Sequence, residues 1–215
     1  PVIQSMSEIA GSAAILIGAE YLTNFTHGKG VMLGGTSGVP PSDVVILGAG
    51  TVGQNAAKAA LGLGAQVKVF DNSLFKLRRM KNFLMSNVYT SISHPDVLGE
   101  ALKNADVAIG AIRGEEGRTP CIVSDEMVGQ MKPGSVIVDI SIDQGGCFET
   151  SEVTNHLDPI FIKYDVIHYC VPNVPSRVAR TASNALSNIF APILLKVGEM
   201  GGIKNYLWEK VGVRH

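Results

Sequence analysis

Only three of the 215 residues are cysteine, Cys121, Cys147 and Cys170, and no two of them form a C-x-x-C pair. An odd, scattered set excludes a disulfide framework and a cysteine zinc site, and no metal is expected. It fits reduced thiols in a cytoplasmic protein. An excess of charge of either sign is also missing. Eighteen Lys and Arg stand against 19 Asp and Glu, for a net charge of −1. That balance gives no reason to expect nucleic acid or an anionic membrane as partner. No stretch reaches the ~18 unbroken apolar residues of a membrane span. The N-terminus has no basic segment ahead of a signal-type apolar core. Internal repeats and low-complexity segments are absent too. What is present is an apolar fraction of 46%, ample for a large core. The length suits one full domain with pieces of a second.

The informative stretch is 44–71, VVILGAGTVGQNAAKAALGLGAQVKVFD. It opens with Val44-Val45-Ile46-Leu47, an apolar run short enough for a buried parallel strand. Gly48, Gly50 and Gly53 follow in G-x-G-x-x-G spacing, enclosing Thr51 and Val52. A helical stretch is expected at about 54–63, ended by Gly64. A second strand at 66–70 then finishes on Asp71. This is the context of a dinucleotide-binding turn. Gly48 permits the tight turn, Gly50 lets the backbone approach a pyrophosphate, and Gly53 lets helix and strand pack closely. The free N–H groups at the helix start hold the phosphates. The alternative is a glycine-rich turn used only for packing. A carboxylate at the end of the second strand accepts hydrogen bonds from ribose hydroxyls and repels a 2′-phosphate. Asp71 is followed by Asn72 and Ser73, not by Arg, so NAD is favoured over NADP. Lys76, Arg78 and Arg79 read as a solvated helix face.

Beyond the glycine turn, helix and strand alternate. Helices are expected at 73–85, 95–103 and 124–131. Strands are expected at 88–92, 106–110, 135–140 and 166–171. Short connectors in such a series argue for a parallel sheet covered on both faces. The fold class is therefore α/β, a doubly wound parallel sheet of Rossmann type with strand order 3-2-1-4-5-6, flanked by terminal connecting helices. Residues 1–43 read as a connecting helix (5–23) and a Gly-, Thr-, Ser- and Pro-rich loop. Residues 44–175 form the nucleotide domain. Residues 176–215 read as connecting or C-terminal helices, the first at 178–199 and interrupted by Pro192, followed by a short helix or loose tail. The chain starts with Pro1 directly into a helix, so it is expected to be a piece of a longer protein with a preceding domain.

Four stretches carry a family resemblance. They are MSEIAG at 6–11, VVILGAGTVGQNAAKAALGLGAQV at 44–67, MKPGSVIVDISIDQGGCFETS at 131–151 and HYCVPNVPSRVARTAS at 168–183. Together they span nearly the whole chain. They resemble the NAD-binding half of alanine dehydrogenases, a family related to the soluble nucleotide domain of proton-pumping transhydrogenase. IDQGG at 142–146 discriminates, because transhydrogenases resemble AEAGG there. Two loops depart from the family pattern: IRGEEGRTP at 112–120, where a VPGAKAP-type sequence is usual, and PNVP at 172–175, where ANMP is commoner.

The resemblance implies reversible oxidation of L-alanine to pyruvate and ammonia, with hydride passing to the nicotinamide. It makes Asp143 the catalytic carboxylate that orients water or ammonia and assists proton transfer. Position agrees, since Asp143 follows the fifth strand and Gly145-Gly146 turn the chain beside it. The alternative is a loop cap. Asp139 is the poorer candidate because it belongs to the strand. Asn173, stiffened between Pro172 and Pro175, is read either as an amide for the nicotinamide or substrate, or as a residue stabilising its own turn. Ser7 matches the family serine that touches cofactor phosphates; otherwise it belongs to the N-cap region. By the same matching, Lys76 and Ser93 lie at the adenosine end, with Ile112, Ile122 and Ile140 as apolar walls. No histidine is read as catalytic: His168 sits in a strand, His27 in a loop, and His94 precedes Pro95. Arg113, Arg118, Arg177 and Arg180 are candidates for a carboxylate, with nothing to single one out. The family's substrate-binding Arg and Lys and its catalytic His belong to a preceding domain. The resemblance also suggests a hexamer. A transhydrogenase nucleotide domain and a non-catalytic nucleotide-binding module remain the alternatives.

Overall fold

The computed structural model describes residues 1–114 and 117–210, with side chains to residue 206. The chain runs α1 (Val2–Leu22), β1 (Asp43–Leu47), α2 (Thr51–Gly62), β2 (Gln66–Phe70), α3 (Leu74–Leu84), β3 (Tyr89–Ser91), α4 (Pro95–Lys103), β4 (Val107–Gly110), α5 (Asp125–Gly129) and β5 (Val136–Asp139). A 3-10 turn over Ile140–Gln144 follows. Then come β6 (Ile160–Lys163), β7 (Val166–Tyr169), a second 3-10 turn over Val174–Val178, α6 (Ala179–Glu199) and α7 (Ile203–Lys210).

One seven-stranded sheet has the order β3-β2-β1-β4-β5-β7-β6. The first six positions are parallel and follow the expected doubly wound order, with β7 in sixth place. The seventh strand corrects the expectation of six. β6 pairs antiparallel with β7 and closes that edge. The two are joined through Tyr164 and Asp165, both at positive φ (55° and 57°). That is the twist a two-residue hairpin demands, met here without glycine.

Each central strand is buried on both faces, so its residues read as continuous apolar runs. Alternation divides them between two cores. Val44 and Ile46 of β1 face α1 and α2 with Val107, Ile109, Val136 and Val138. Val45 and Leu47 face α4 and α5 with Leu98, Leu102, Ala108 and Ile137.

α1 is long and apolar enough to cross a bilayer by length and composition. In the fold its small side chains Ala10, Ala13 and Ala14 are buried in the same core as Ala56, Ala57 and Ala60 of α2. Gly11 makes the crossing close. A Cβ there would lie 2.2 Å from the Val52 carbonyl oxygen.

Two further expectations change. α2 starts at Thr51, not near residue 54, so Thr51, Val52 and Gly53 form its first turn. α6 is not interrupted at Pro192 but runs through it. The carbonyl of Asn188, four residues earlier, loses its helical donor there. Asn188 is an exposed residue, where solvent can take that donor's place. Glu115 and Glu116 of the divergent 112–120 loop, and the tail after residue 210, lie outside the described residues.

Candidate functional site

The glycine turn links β1 to α2 at the sheet's topological switch point, where β1 neighbours β4 and connections leave in opposite directions. Gly48 has φ +110° and donates its N–H to the Phe70 carbonyl at 2.7 Å. A Cβ on it would stand 2.4 Å from the Ala111 carbonyl oxygen. A Cβ on Gly53 would stand 1.9 Å from the Gly48 carbonyl oxygen, so Gly53 serves the packing of helix on turn. Gly50 differs from both. It is the N-cap of α2 and carries no side-chain cap, and nothing lies within 4 Å of where its Cβ would stand. The start of α2 is therefore open at Gly50 and no side chain caps its first N–H groups, an anion-seeking arrangement.

The Asp71 carboxylate ties this turn to β2. Its Oδ2 accepts from the Ala49 N–H at 2.8 Å and its Oδ1 from the Ser73 N–H at 2.8 Å. Asn72 Oδ1 accepts from the Ser93 N–H at 3.1 Å, joining the ends of β2 and β3. A cavity of about 170 Å³ opens here, lined by Gly48, Gly50, Asp71, Asn72, Lys76 and Ser93, with Ile112 and Ile122 on the far wall.

A second cavity, of about 310 Å³, adjoins it across Ala111, Ile112 and Arg113, which line both. It is walled by Ser7, Val52, Ile140, Asp143 and Asn173. Ser7 sits in the second turn of α1 rather than at its cap. Of the sequence candidates, Thr51 and Gly53 line neither cavity. Together the two spaces reach the size of ordinary ligand sites.

Asp143 is exposed in the 3-10 turn after β5. Its Oδ1 accepts from the Asn173 N–H at 3.0 Å, and its Oδ2 has no partner among the described residues. Asn173 holds φ 54°, ψ 53°, a left-handed conformation that asparagine tolerates better than most residues. Its carbonyl accepts from the Ser176 hydroxyl at 2.7 Å, and His156 Nε2 lies 2.7 Å from that hydroxyl oxygen. Arg177 clasps Glu20 of α1 through two contacts of 3.0 and 2.8 Å. The loop is thus pinned on both flanks.

Asp139 is the buried organiser beneath the turn. It accepts from the Ser141 and Cys147 N–H groups, both at 2.9 Å, and from the Ser151 hydroxyl at 2.7 Å. Burial pushes its pKa up, against the pull of those donors. Ser141 passes the constraint on, accepting the Ile112 N–H at 3.0 Å. His168 is a satisfied core residue. Its Nδ1 lies 3.0 Å from the Val166 carbonyl oxygen and its Nε2 2.8 Å from Thr150 Oγ. That fits a neutral ring donating through Nδ1, and burial drops its pKa to about 4. Burial likewise lifts Cys170 to about 12 and Cys147 well above its usual value, so neither is a ready nucleophile.

Residues 14–215 match the sequence model of the family described as alanine dehydrogenase/PNT, C-terminal domain. The chain belongs to this family. Among alanine dehydrogenases, that of Mycolicibacterium smegmatis is 45% identical over 201 residues, 94% of this chain and 54% of the relative. A solved L-alanine dehydrogenase superposes with a TM-score of 0.88 at 43% identity, over 94% of this chain and 56% of its own. A transhydrogenase from Sinorhizobium meliloti follows with a TM-score of 0.74 at 26% identity, over 90% and 55%. The chain thus spans about half the length of the alanine dehydrogenases it matches.

Sequence reasoning missed Ala111, Ser141 and Gln144 on the groove wall and left Arg113 undistinguished among four arginines. None has a local signal. Each reaches the groove because β4 runs parallel beside β1 and β5 beside β4, so the segments after both strands leave on the side of the glycine turn.

Proposed function

We propose that these residues form the NAD-binding half of an amino-acid oxidoreductase, an L-alanine dehydrogenase that converts L-alanine, NAD and water to pyruvate, ammonia and NADH. The observation that carries this reading is the exposed Asp143 carboxylate, in a cavity that shares Ala111, Ile112 and Arg113 with the neighbouring cavity of the open Gly50 turn and Asp71. The groove fits the nucleotide on its own geometry. At Gly50 there is room for a pyrophosphate against the first N–H groups of α2. Asp71 lines the adenosine end, its carboxylate available to ribose hydroxyls and repulsive to a 2′-phosphate. Ile112, Ile122 and Ile140 supply apolar walls, with Lys76 and Ser93 at the adenosine end and Ser7 and Asn173 at the other. When bound, NAD supplies the acceptor for the hydride.

Asp143 then performs the chain's own chemistry. The Asn173 N–H fixes Oδ1, which leaves Oδ2 to orient a water or ammonia molecule and to hold a proton. The groups that grip alanine and pyruvate lie outside these 215 residues in this reading, so the segment alone binds NAD without turning over alanine. Homo-oligomeric assembly, a hexamer, and residence in the cytoplasm belong to the same proposal. Exposed Phe190, Leu194 and Leu195 on α6 support assembly.

The test is alanine-dependent NADH formation by the protein that carries a substrate domain together with this one, with NADH titrated in parallel. NADH binding without alanine turnover in that protein would leave the transhydrogenase reading, which the less similar Sinorhizobium structure supports, and the non-catalytic nucleotide-binding module.

A further inference from the structure

We infer that the Arg113 guanidinium clamps the diphosphate of the bound dinucleotide from the side opposite the glycine turn. The inference rests on the nucleotide reading above. Arg113 stands three residues beyond the end of β4 and lines both cavities. Across the seam, Gly50 lines one cavity and Val52 the other, so the seam lies between the start of α2 and Arg113. A ligand that fills both cavities crosses this seam at its midpoint. The midpoint of a dinucleotide is its diphosphate, with two negative charges.

The helix side answers those charges only in part. α2 has no acidic residue in its first turn and no side-chain cap, so its first amides are available. Their dipole amounts to roughly half an elementary charge. A full cation is needed for balance. Among the described residues lining the groove there are two, Lys76 and Arg113, and Lys76 lines only the adenosine cavity. Each cavity holds one acid, Asp71 in one and Asp143 in the other, and neither lines both as Arg113 does. The Asp71 carboxylate is occupied by the Ala49 and Ser73 N–H groups. Arg113 is exposed, so its long side chain is not committed to the core. A guanidinium also presents a planar fork that matches two phosphate oxygens, which an ammonium cannot do.

The experiment compares wild type, Arg113→Gln and Arg113→Lys by calorimetry with NADH, ADP-ribose and adenosine, with circular dichroism to verify folding. Arg113→Gln should weaken NADH and ADP-ribose by about 10- to 100-fold, the scale of a lost charge-assisted hydrogen bond. Adenosine, which has no phosphate, should stay within about twofold. Arg113→Lys should fall between, because it keeps charge but loses the fork. Wild-type affinity for ADP-ribose should also fall more steeply with salt than that of Arg113→Gln. NADH and ADP-ribose affinities unchanged in Arg113→Gln would overturn the clamp, as would an equal loss for adenosine. A wild-type protein that binds neither NADH nor ADP-ribose would sink the nucleotide reading itself, and the clamp with it.

Discussion

The cavity beside Asp71 is built mostly from residues 48–93, whereas the cavity beside Asp143 gathers Ser7, Val52, Ile112, Asp143 and Asn173 from the whole length of the chain. The first is a local device. One strand, one turn, one helix and the next strand place Gly50 and Asp71 together, and the Asp71 carboxylate holds the turn through Ala49. The second exists only after folding. It needs α1 laid across α2, the turn after β5 held by Asp139, and the Asn173 loop pinned by Ser176 and Arg177. A local device tolerates loss of distant contacts. An assembled one concentrates chemistry where several elements must agree. Four substitutions or conditions test that division.

The largest expected effect belongs to the assembled cavity. In a protein that also carries its substrate domain, Asp143→Asn should lower the alanine-dependent rate by about 10²- to 10⁴-fold, the usual contribution of a positioned acid–base group. NADH affinity should change little. A rate within a few-fold of wild type would reduce Asp143 to a cap for the Asn173 N–H.

Gly50→Val strikes the local device. The new Cβ has open space around it, so melting should hold near wild type. NADH affinity should fall by about 100-fold or more, because the pyrophosphate loses its approach. Unfolding, or normal binding, would misplace the phosphates.

Acid should loosen the assembled side through β7, which carries buried His168 and leads to the Asn173 loop. The folded pKa is about 4, below the ordinary 6.5 of a free ring. The unfolded chain therefore binds the extra proton first as pH falls. Stability from this group is complete above about pH 6.5 and is lost progressively toward pH 4, on the order of 2–3 kcal/mol. Urea unfolding at pH 7, 5.5 and 4.5 measures it. His168→Phe should flatten that part of the profile, and an unchanged slope would refute the assignment.

The smallest effect concerns cofactor choice. Asp71 should favour NADH over NADPH by about 1–3 kcal/mol, the range of a charged hydrogen bond left unmade. Paired titrations test this. Equal affinities would mean that Lys76 or Arg78 compensates for the 2′-phosphate.

Legibility in the sequence followed the same line. β1, the glycine turn, α2 and β2 could be read from contiguous residues because glycines and apolar runs carry their own geometry. So could the parallel order of six strands, which follows from regular alternation. β6 was missed because Lys163-Tyr164-Asp165-Val166 lacks the Asn-Gly signature of a two-residue turn, although Tyr164 and Asp165 adopt its positive φ. Pro192 suggested a break because propensity ignores exposure. Asn188 is exposed, where solvent can replace the lost donor. Asp139 was set aside as part of a strand, and it does not line the groove. Its hydrogen bonds to Ser141, Cys147 and Ser151 were beyond reach, because they depend on how the chain returns after Gly146.

The close crossing at Gly11 links two equilibria. α1 rests on the first turn of α2 at Val52 and also supplies Ser7 to the groove wall, while Glu20 near its far end holds Arg177. A ligand that needs this wall stabilises the docked helix by RT ln(1 + [L]/Kd), about 2.7 kcal/mol at a hundredfold excess over Kd. By the same linkage, whatever strains α1 from outside taxes nucleotide affinity by an equal amount. One 21-residue helix thus carries the crossing at Gly11, the Ser7 wall and the Glu20 anchor together, so a change that lifts it from α2 removes all three at once.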